Sequence, residues 1–136
     1  MEVLTANSLP TKTIAAALRM DCVRILADDL TGACDSAAAF AAVGYGVRVW
    51  LGPTATIESD APVQAFNTAS RGLAVQAAAE AVARTAGAMS VRGRTLWFKK
   101  VDSAGRGAIA AELLAAHKAF GTRAILFAPR DERRHC

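Results

Sequence analysis

Residues 23–35 read Val-Arg-Ile-Leu-Ala-Asp-Asp-Leu-Thr-Gly-Ala-Cys-Asp. Val23–Ala27 is apolar apart from Arg24, and it ends abruptly in two adjacent aspartates. The chain then passes into an alanine-rich stretch with helical spacing. In Ala33–Val43, residues Ala33, Ala37, Phe40 and Ala41 share one face, and the pattern stops at Gly44, where a left-handed cap would sit. An apolar strand running into such a helix is the opening of a βαβ unit.

The same alternation recurs along the chain. Further short apolar runs are Val47–Leu51, Val63–Asn67, Thr95–Lys100 and Ala124–Ala128. Between them, Leu73–Ala86 reads as a helix stopped by Gly87. Ile109, Leu113, Ala116 and Phe120 make an apolar stripe ending at Gly121. Val23–Ala27 and Ala124–Ala128 are apolar almost throughout, as central strands covered on both faces should be. Only Gly52–Pro62 has no room for a full helix. The prediction is an α/β fold: an open three-layer sandwich around a mostly parallel sheet of about five strands, Rossmann- or flavodoxin-like.

Composition narrows the function classes. The 136 residues are 53% hydrophobic, but the excess is alanine in helical patterns. No apolar run approaches the ~20 residues a membrane helix needs. The net charge of +4 comes from scattered Lys and Arg, apart from Arg130, Arg133 and Arg134 at the end. No basic helix carries interleaved aromatics, which speaks against nucleic acid as a partner. Cys22, Cys34 and Cys136 are odd in number and lack C-x-x-C spacing, so reduced thiols and a cytoplasmic protein are expected.

In an open parallel sheet, ligands sit beyond the carboxyl ends of the strands. Three polar clusters fall there. Asp28-Asp29-Leu30-Thr31-Gly32 abuts a helix N-terminus, with Asp35 in the first turn; one aspartate would serve as a cap, so two plus Thr31 point to ligand chemistry. Thr68-Ala69-Ser70-Arg71 sets two hydroxyls and a guanidinium, the natural fork for a carboxylate, in one loop. Lys99-Lys100-Val101-Asp102-Ser103-Ala104-Gly105-Arg106-Gly107 is the richest: alternation points one lysine into the site, Ser103 is placed to cap the next helix, and the glycines permit close backbone approach. Glu112 reads as a solvated helix residue.

Two phosphoryl-chemistry patterns fail here. An Asp-x-Asp-x-Thr phosphatase motif set on Asp29 and Thr31 would put Ala27 at the nucleophile. A receiver domain needs an aspartate after the third strand, where Asn67, Thr68 and Ser70 stand instead. Among the blander residues, His117 reads as packing at the edge of the last helix, and Trp50 and Trp97 as strand residues packed on helices.

At these clusters the sequence resembles the four-carbon acid sugar kinase family. The carrying residues are Ile25 to Asp35, Thr68 to Arg71, and Phe98-Lys99-Lys100-Val101-Asp102-Ser103 through Arg106-Gly107 to Glu112. They stand in the family's order, and the resemblance runs from about Val23 to Pro129. It implies a domain that binds a sugar acid such as threonate or erythronate. A second, C-terminal domain would bind ATP with Mg²⁺ for phosphoryl transfer to a hydroxyl. By resemblance Asp29, Arg71, Lys100, Asp102 and Ser103 contact the substrate, with Thr31 and Ser70 as further candidates. Arg106 would hold the carboxylate or neutralise the transferring phosphate. The catalytic base stays open among Asp28, Asp29 and Asp102. Arg71→Ala and Lys100→Ala are expected to abolish binding without unfolding the domain.

Three departures qualify the resemblance. Ala104-Gly105 replaces the usual Thr-Leu, which loosens the loop. After Pro129 the sequence turns to Arg130-Asp131-Glu132-Arg133-Arg134-His135-Cys136, unlike the family. Residues 1–21 precede the family's usual start near Met20 and read either as an unstructured extension or as the product of a misplaced start codon, with Met1 and Met20 both open as the true start. The organisation expected is thus an extension at 1–21, a sugar-acid-binding domain at 22–129 and an aberrant tail at 130–136, with the nucleotide-binding domain absent and the chain inactive alone. A stand-alone anion-binding module and a gene remnant are the alternatives.

Overall fold

The computed structural model describes residues 20–52, 57, 59–91 and 93–128. Nearly all of the expected extension and the whole of the expected tail lie outside them. The elements run β1 (Cys22–Ala27), α1 (Leu30–Ala42), β2 (Val47–Trp50), β3 (Val63–Asn67), α2 (Val75–Ala88), β4 (Thr95–Lys100) and α3 (Ile109–Phe120). The sheet order is β2-β3-β1-β4, every pairing parallel. This is the α/β architecture expected from the alternating pattern.

β1 is central, with all six residues buried. Its alternation feeds two cores. Val23, Ile25 and Ala27 meet Ala33 and Ala37 of α1 together with Val63 and Ala65. On the other face, Leu26 and Phe66 meet Val82, Ala86 and Met89 of the α2 region and Ala116 of α3. Helices therefore cover both faces, giving three layers. Trp97 stacks on Phe120 at 3.7 Å between ring centroids, and Trp50 on Phe66 at 6.0 Å. Arg24 is tolerated inside β1 because its guanidinium donates to the carbonyls of Ser90, Val23 and Pro62 at 3.0–3.2 Å. A buried charge without such partners would be strongly destabilising.

Element boundaries differ from expectation where side chains override pattern. α1 starts at Leu30 because Asp29 caps it, its Oδ1 accepting the Gly32 N–H at 2.8 Å. Ala33 and Ala37 are buried and Phe40 is half-buried, but Ala41 faces solvent. Gly44 (φ +95°) and Gly121 (φ +63°) take the left-handed conformations expected of them. Gly87 does not: α2 continues through it to Ala88 and ends where Met89 turns extended and enters the core. The apolar run 124–128 forms no strand and is exposed, Leu126 to 95%. Among the described residues no helix is long and apolar enough to cross a membrane.

Candidate functional site

Because β3, β1 and β4 are neighbours, their carboxyl-terminal loops meet at one edge of the sheet, with the β1 loop in the middle. The loop after β3 is sewn onto the end of β1. Thr68 N–H and Oγ1–H both donate to the Ala27 carbonyl at 2.9 Å, and Ser70 and Arg71 N–H donate to Asp28 O at 3.0 and 3.2 Å. The Thr68 and Ser70 hydroxyls bond each other at 2.7 Å, fully buried. Between them Ala69 sits at φ +51°, a left-handed position that a residue with a Cβ adopts at a cost. The Asn67 side chain supports it by accepting the Ala69 N–H at 2.9 Å.

This stitched loop delivers Arg71 to the centre of the site. Its Nε and Nη2 clasp both oxygens of buried Asp28 at 3.0 Å, while Nη1 reaches Asp29 Oδ2 at 2.7 Å. Asp102 Oδ1 lies 3.6 Å from Nη2. One guanidinium thus gathers carboxylates from two different loops. The hydrogen bond to Asp28 raises the Arg71 pKa above its ordinary value, against the opposing effect of burial, and the three carboxylate charges add to the rise.

The loop after β4 folds around Asp102. Arg106 donates to it three times: Nε to Oδ2 at 2.8 Å, Nη2 to Oδ1 at 3.1 Å, and its own N–H to Oδ2 at 3.0 Å. The side-chain hydrogen bonds from Arg106, then its backbone N–H, hold Asp102 well below the usual carboxylate range. The same bonds raise Arg106. The Arg106 side chain is 69% exposed, so its outer N–H groups face solvent. Gly107, at φ +91°, lets the loop lie against the Arg71 backbone, where a Cβ would come within 3.5 Å of the Arg71 carbonyl.

The two lysines diverge as alternation requires. Lys100 lies on the α1 side: its Nζ donates to Val101 O at 2.7 Å, and its Cγ would be 3.2 Å from a Cβ at Gly32. Lys99 points to the opposite face, where its Nζ is 2.7 Å from Glu112 Oε2. That contact is a charge pair rather than a directed hydrogen bond. Glu112 is therefore not solvated. It is 2% exposed, because α3 lies with its first turn over the end of β4.

Asp28, Asp29, Arg71, Asp102 and Arg106 are brought together, with Lys100 beside Gly32. Thr31 is exposed on the first turn of α1, and Ser70 is buried beneath the Arg71 loop. Ser103 is exposed and does not cap α3, which begins at Ile109 with no side-chain cap. Asp102 takes over the local work by holding the Arg106 N–H. Reading the sequence missed the Lys99–Glu112 pair and the scaffolding role of Asn67 and Thr68. A polar pair directly after the apolar run of β3 was the available signal for the second.

These residues carry three carboxylates (Asp28, Asp29, Asp102) against three cations (Arg71, Lys100, Arg106), interlocked but open to solvent at Arg106 and Asp29. Such an edge can accept hydrogen bonds from hydroxyls and donate to an anion.

Comparison with known proteins gives a consistent result. A family model described as a sugar-binding N-terminal domain matches residues 23–134. The chain is similar to a D-threonate kinase of Bordetella bronchiseptica, 38% identical over 108 residues, covering 76% of this chain. It spans only 27% of that relative's length. It is also similar to a solved domain of unknown function from Bordetella bronchiseptica, a domain-swapped dimer with bound citrate in two crystal forms. Those matches have TM-scores of 0.67 and 0.65 at 37% and 35% identity. They cover 76% and 74% of this chain, and 27% of the solved chain in each case.

Proposed function

This chain belongs to the family of sugar-binding N-terminal domains, and from that premise we propose that it is the substrate-binding part of an ATP-dependent four-carbon acid sugar kinase. Its ligand would be a sugar acid of the threonate or erythronate class. The observation that carries the reading is the interlocked set of Asp28, Asp29, Arg71, Asp102 and Arg106 at one sheet edge. A sugar acid offers a row of hydroxyls and one carboxylate, which call for fixed acceptors beside an accessible guanidinium. The citrate bound to the relative, itself a hydroxy acid, has the same two kinds of group.

On this proposal the residues take different roles. Arg71 is already committed to Asp28 and Asp29, so it orients acceptors, while exposed Arg106 takes the carboxylate. Asp102 is held ionised by Arg106 and makes a poor proton acceptor. Asp28 is closed on both oxygens. Asp29 also has a partner on each oxygen, but 29% of its side chain is exposed against 3% for Asp28, and that access makes it the candidate to accept a proton from the reacting hydroxyl. Such transfer depends mainly on positioning and charge neutralisation.

ATP and Mg²⁺ are assigned to a second domain. The described acids do not fit a metal by themselves: their oxygens are engaged by arginines, and no group of three or more ligating side chains forms among the described residues.

Titration calorimetry of the 136-residue chain with D-threonate and erythronate tests the reading. Binding in the micromolar to millimolar range is expected, and Arg106→Ala is expected to lose affinity while staying folded, with a lowered melting temperature because buried Asp102 then keeps only its 3.6 Å contact with Arg71. A folded chain that binds neither acid overturns it. Because ATP is assigned to a second domain, catalysis is tested by phosphorylation of the bound acid from ATP in a protein that joins this chain to such a domain, and binding without turnover there favours a stand-alone module.

A further inference from the structure

Two charged side chains lie outside the site yet are almost completely buried. Lys99 is 5% and Glu112 2% exposed in their side chains, with Nζ and Oε2 2.7 Å apart. Lys99 Nζ also donates to the Lys100 carbonyl at 3.0 Å. Buried pairs of this kind are weak contributors to stability, because desolvation offsets their attraction. Their value here lies in what they bracket.

Lys99 is the penultimate residue of β4, and Glu112 is in the first turn of α3. Between them hangs the loop that carries Asp102, Ser103 and Arg106. Apart from the pair, that loop is held from outside by the 3.6 Å contact of Asp102 with Arg71, by Gly107 lying against the Arg71 backbone and by Lys100 Nζ donating to the Val101 carbonyl. It has two glycines at positive φ, Gly105 and Gly107, and the N-cap Ala108 makes no side-chain bond. Its own bonds, Gly105 N–H to Asp102 O and Arg106 to Asp102, are internal to the loop. α3 packs chiefly on α2 rather than on β4. The Trp97–Phe120 stack ties the far end of α3 to β4. The ion pair ties the near end, beside the site.

We propose that Lys99 and Glu112 form a positioning pair that holds both ends of the Asp102–Arg106 loop in register with Arg71. The proposal rests on the reading of this loop as part of the sugar-acid site. Neither residue touches the ligand. The pair sets where Asp102 and Arg106 stand.

The test uses Lys99→Met, Glu112→Met and the double variant of the full chain. Each single variant strands a buried charge and is expected to lower the melting temperature. The double variant removes both charges and is expected to recover most of that loss. If the pair positions the loop, the double variant's Gly105 and Arg106 amides exchange hydrogen at least about tenfold faster, while Ile25 and Leu26 of β1 are unchanged. Its D-threonate affinity falls about tenfold. Lys99→Arg, which keeps a donor opposite Glu112, retains wild-type exchange at those amides. Wild-type exchange at Gly105 and Arg106 in the double variant overturns the proposal whatever the affinity does. If the unmodified chain binds no threonate, the functional reading fails, and the exchange measurement still decides the positioning role.

Discussion

Removing the Arg71 side chain is the sharpest perturbation the site offers. The sequence alone suggests that Arg71→Ala costs binding and spares the fold. The geometry says otherwise. Asp28 is 3% exposed and both its oxygens are engaged by Arg71, so alanine leaves a buried carboxylate without its counter-charge. Breaking one side of a buried ion pair costs about 3–5 kcal/mol. Because a quarter of the Arg71 side chain is exposed, water relieves part of this, and the low end, about 3 kcal/mol, is expected. For a domain near this size each kcal/mol moves the midpoint by about 4 °C, so the melting temperature should fall by roughly 12 °C. Arg71→Lys keeps the charge but cannot fork onto Asp28 while reaching Asp29, and should fall between. Adding Asp28→Asn to Arg71→Ala removes the stranded charge and should return about half of the loss, a coupling measurable by a double-mutant cycle. A variant Arg71→Ala that melts within about 3 °C of the parent, on the same scale, would refute the argument that Arg71 is a structural clasp.

Three further outcomes follow from particular contacts. Asp102 has its pKa depressed in the folded state, so its contribution to stability is fully present above the ordinary carboxylate value of about 4 and is lost as pH falls through the lower folded value. Asp102→Asn should therefore flatten the acid limb of a stability–pH profile below about pH 4, and an unchanged limb would contradict this. Gly32→Ala places a Cβ 2.8 Å from Asp29 Oδ1, which breaks the α1 cap; a loss of about 1–2 kcal/mol in urea unfolding is expected. Ala69→Gly relieves the left-handed strain at φ +51° and should raise the unfolding free energy measured in urea by up to about 1 kcal/mol, the gain being trimmed by glycine's freedom when unfolded.

Much of the frame was legible because period and punctuation agree. The apolar run 23–27 feeds two cores and reads as a buried central strand, and Gly44 and Gly121 mark helix ends by left-handed caps. That the clusters at 28–32, 68–71 and 99–107 meet was legible because an open parallel sheet puts its polar loops at one edge. What sequence could not supply was commitment. Arg71 looks like a ligand-binding arginine until the Asp28 contact is seen, and Glu112 looks solvated until α3 is placed over β4. Both depend on residues 42 or 43 and 13 positions apart, respectively, coming together in space. Gly87 misled because Met89, two residues on, is drawn into the core and decides where α2 stops.

The strand order gives the site two walls of unequal stiffness. Asp28 and Asp29 hang from β1, which is paired on both sides, and Arg71 from β3, also paired on both sides. Asp102 and Arg106 hang from β4, which among the described residues is paired on one side only. Under the proposed function, a ligand between them would meet a rigid anvil on one flank and a yielding jaw on the other. On that proposal, adjustment to acids of different length or stereochemistry falls to the β4 side. Substitutions that retune selectivity belong at 101–107, whereas the same changes at 28–32 or 68–71 would first be felt as loss of the fold.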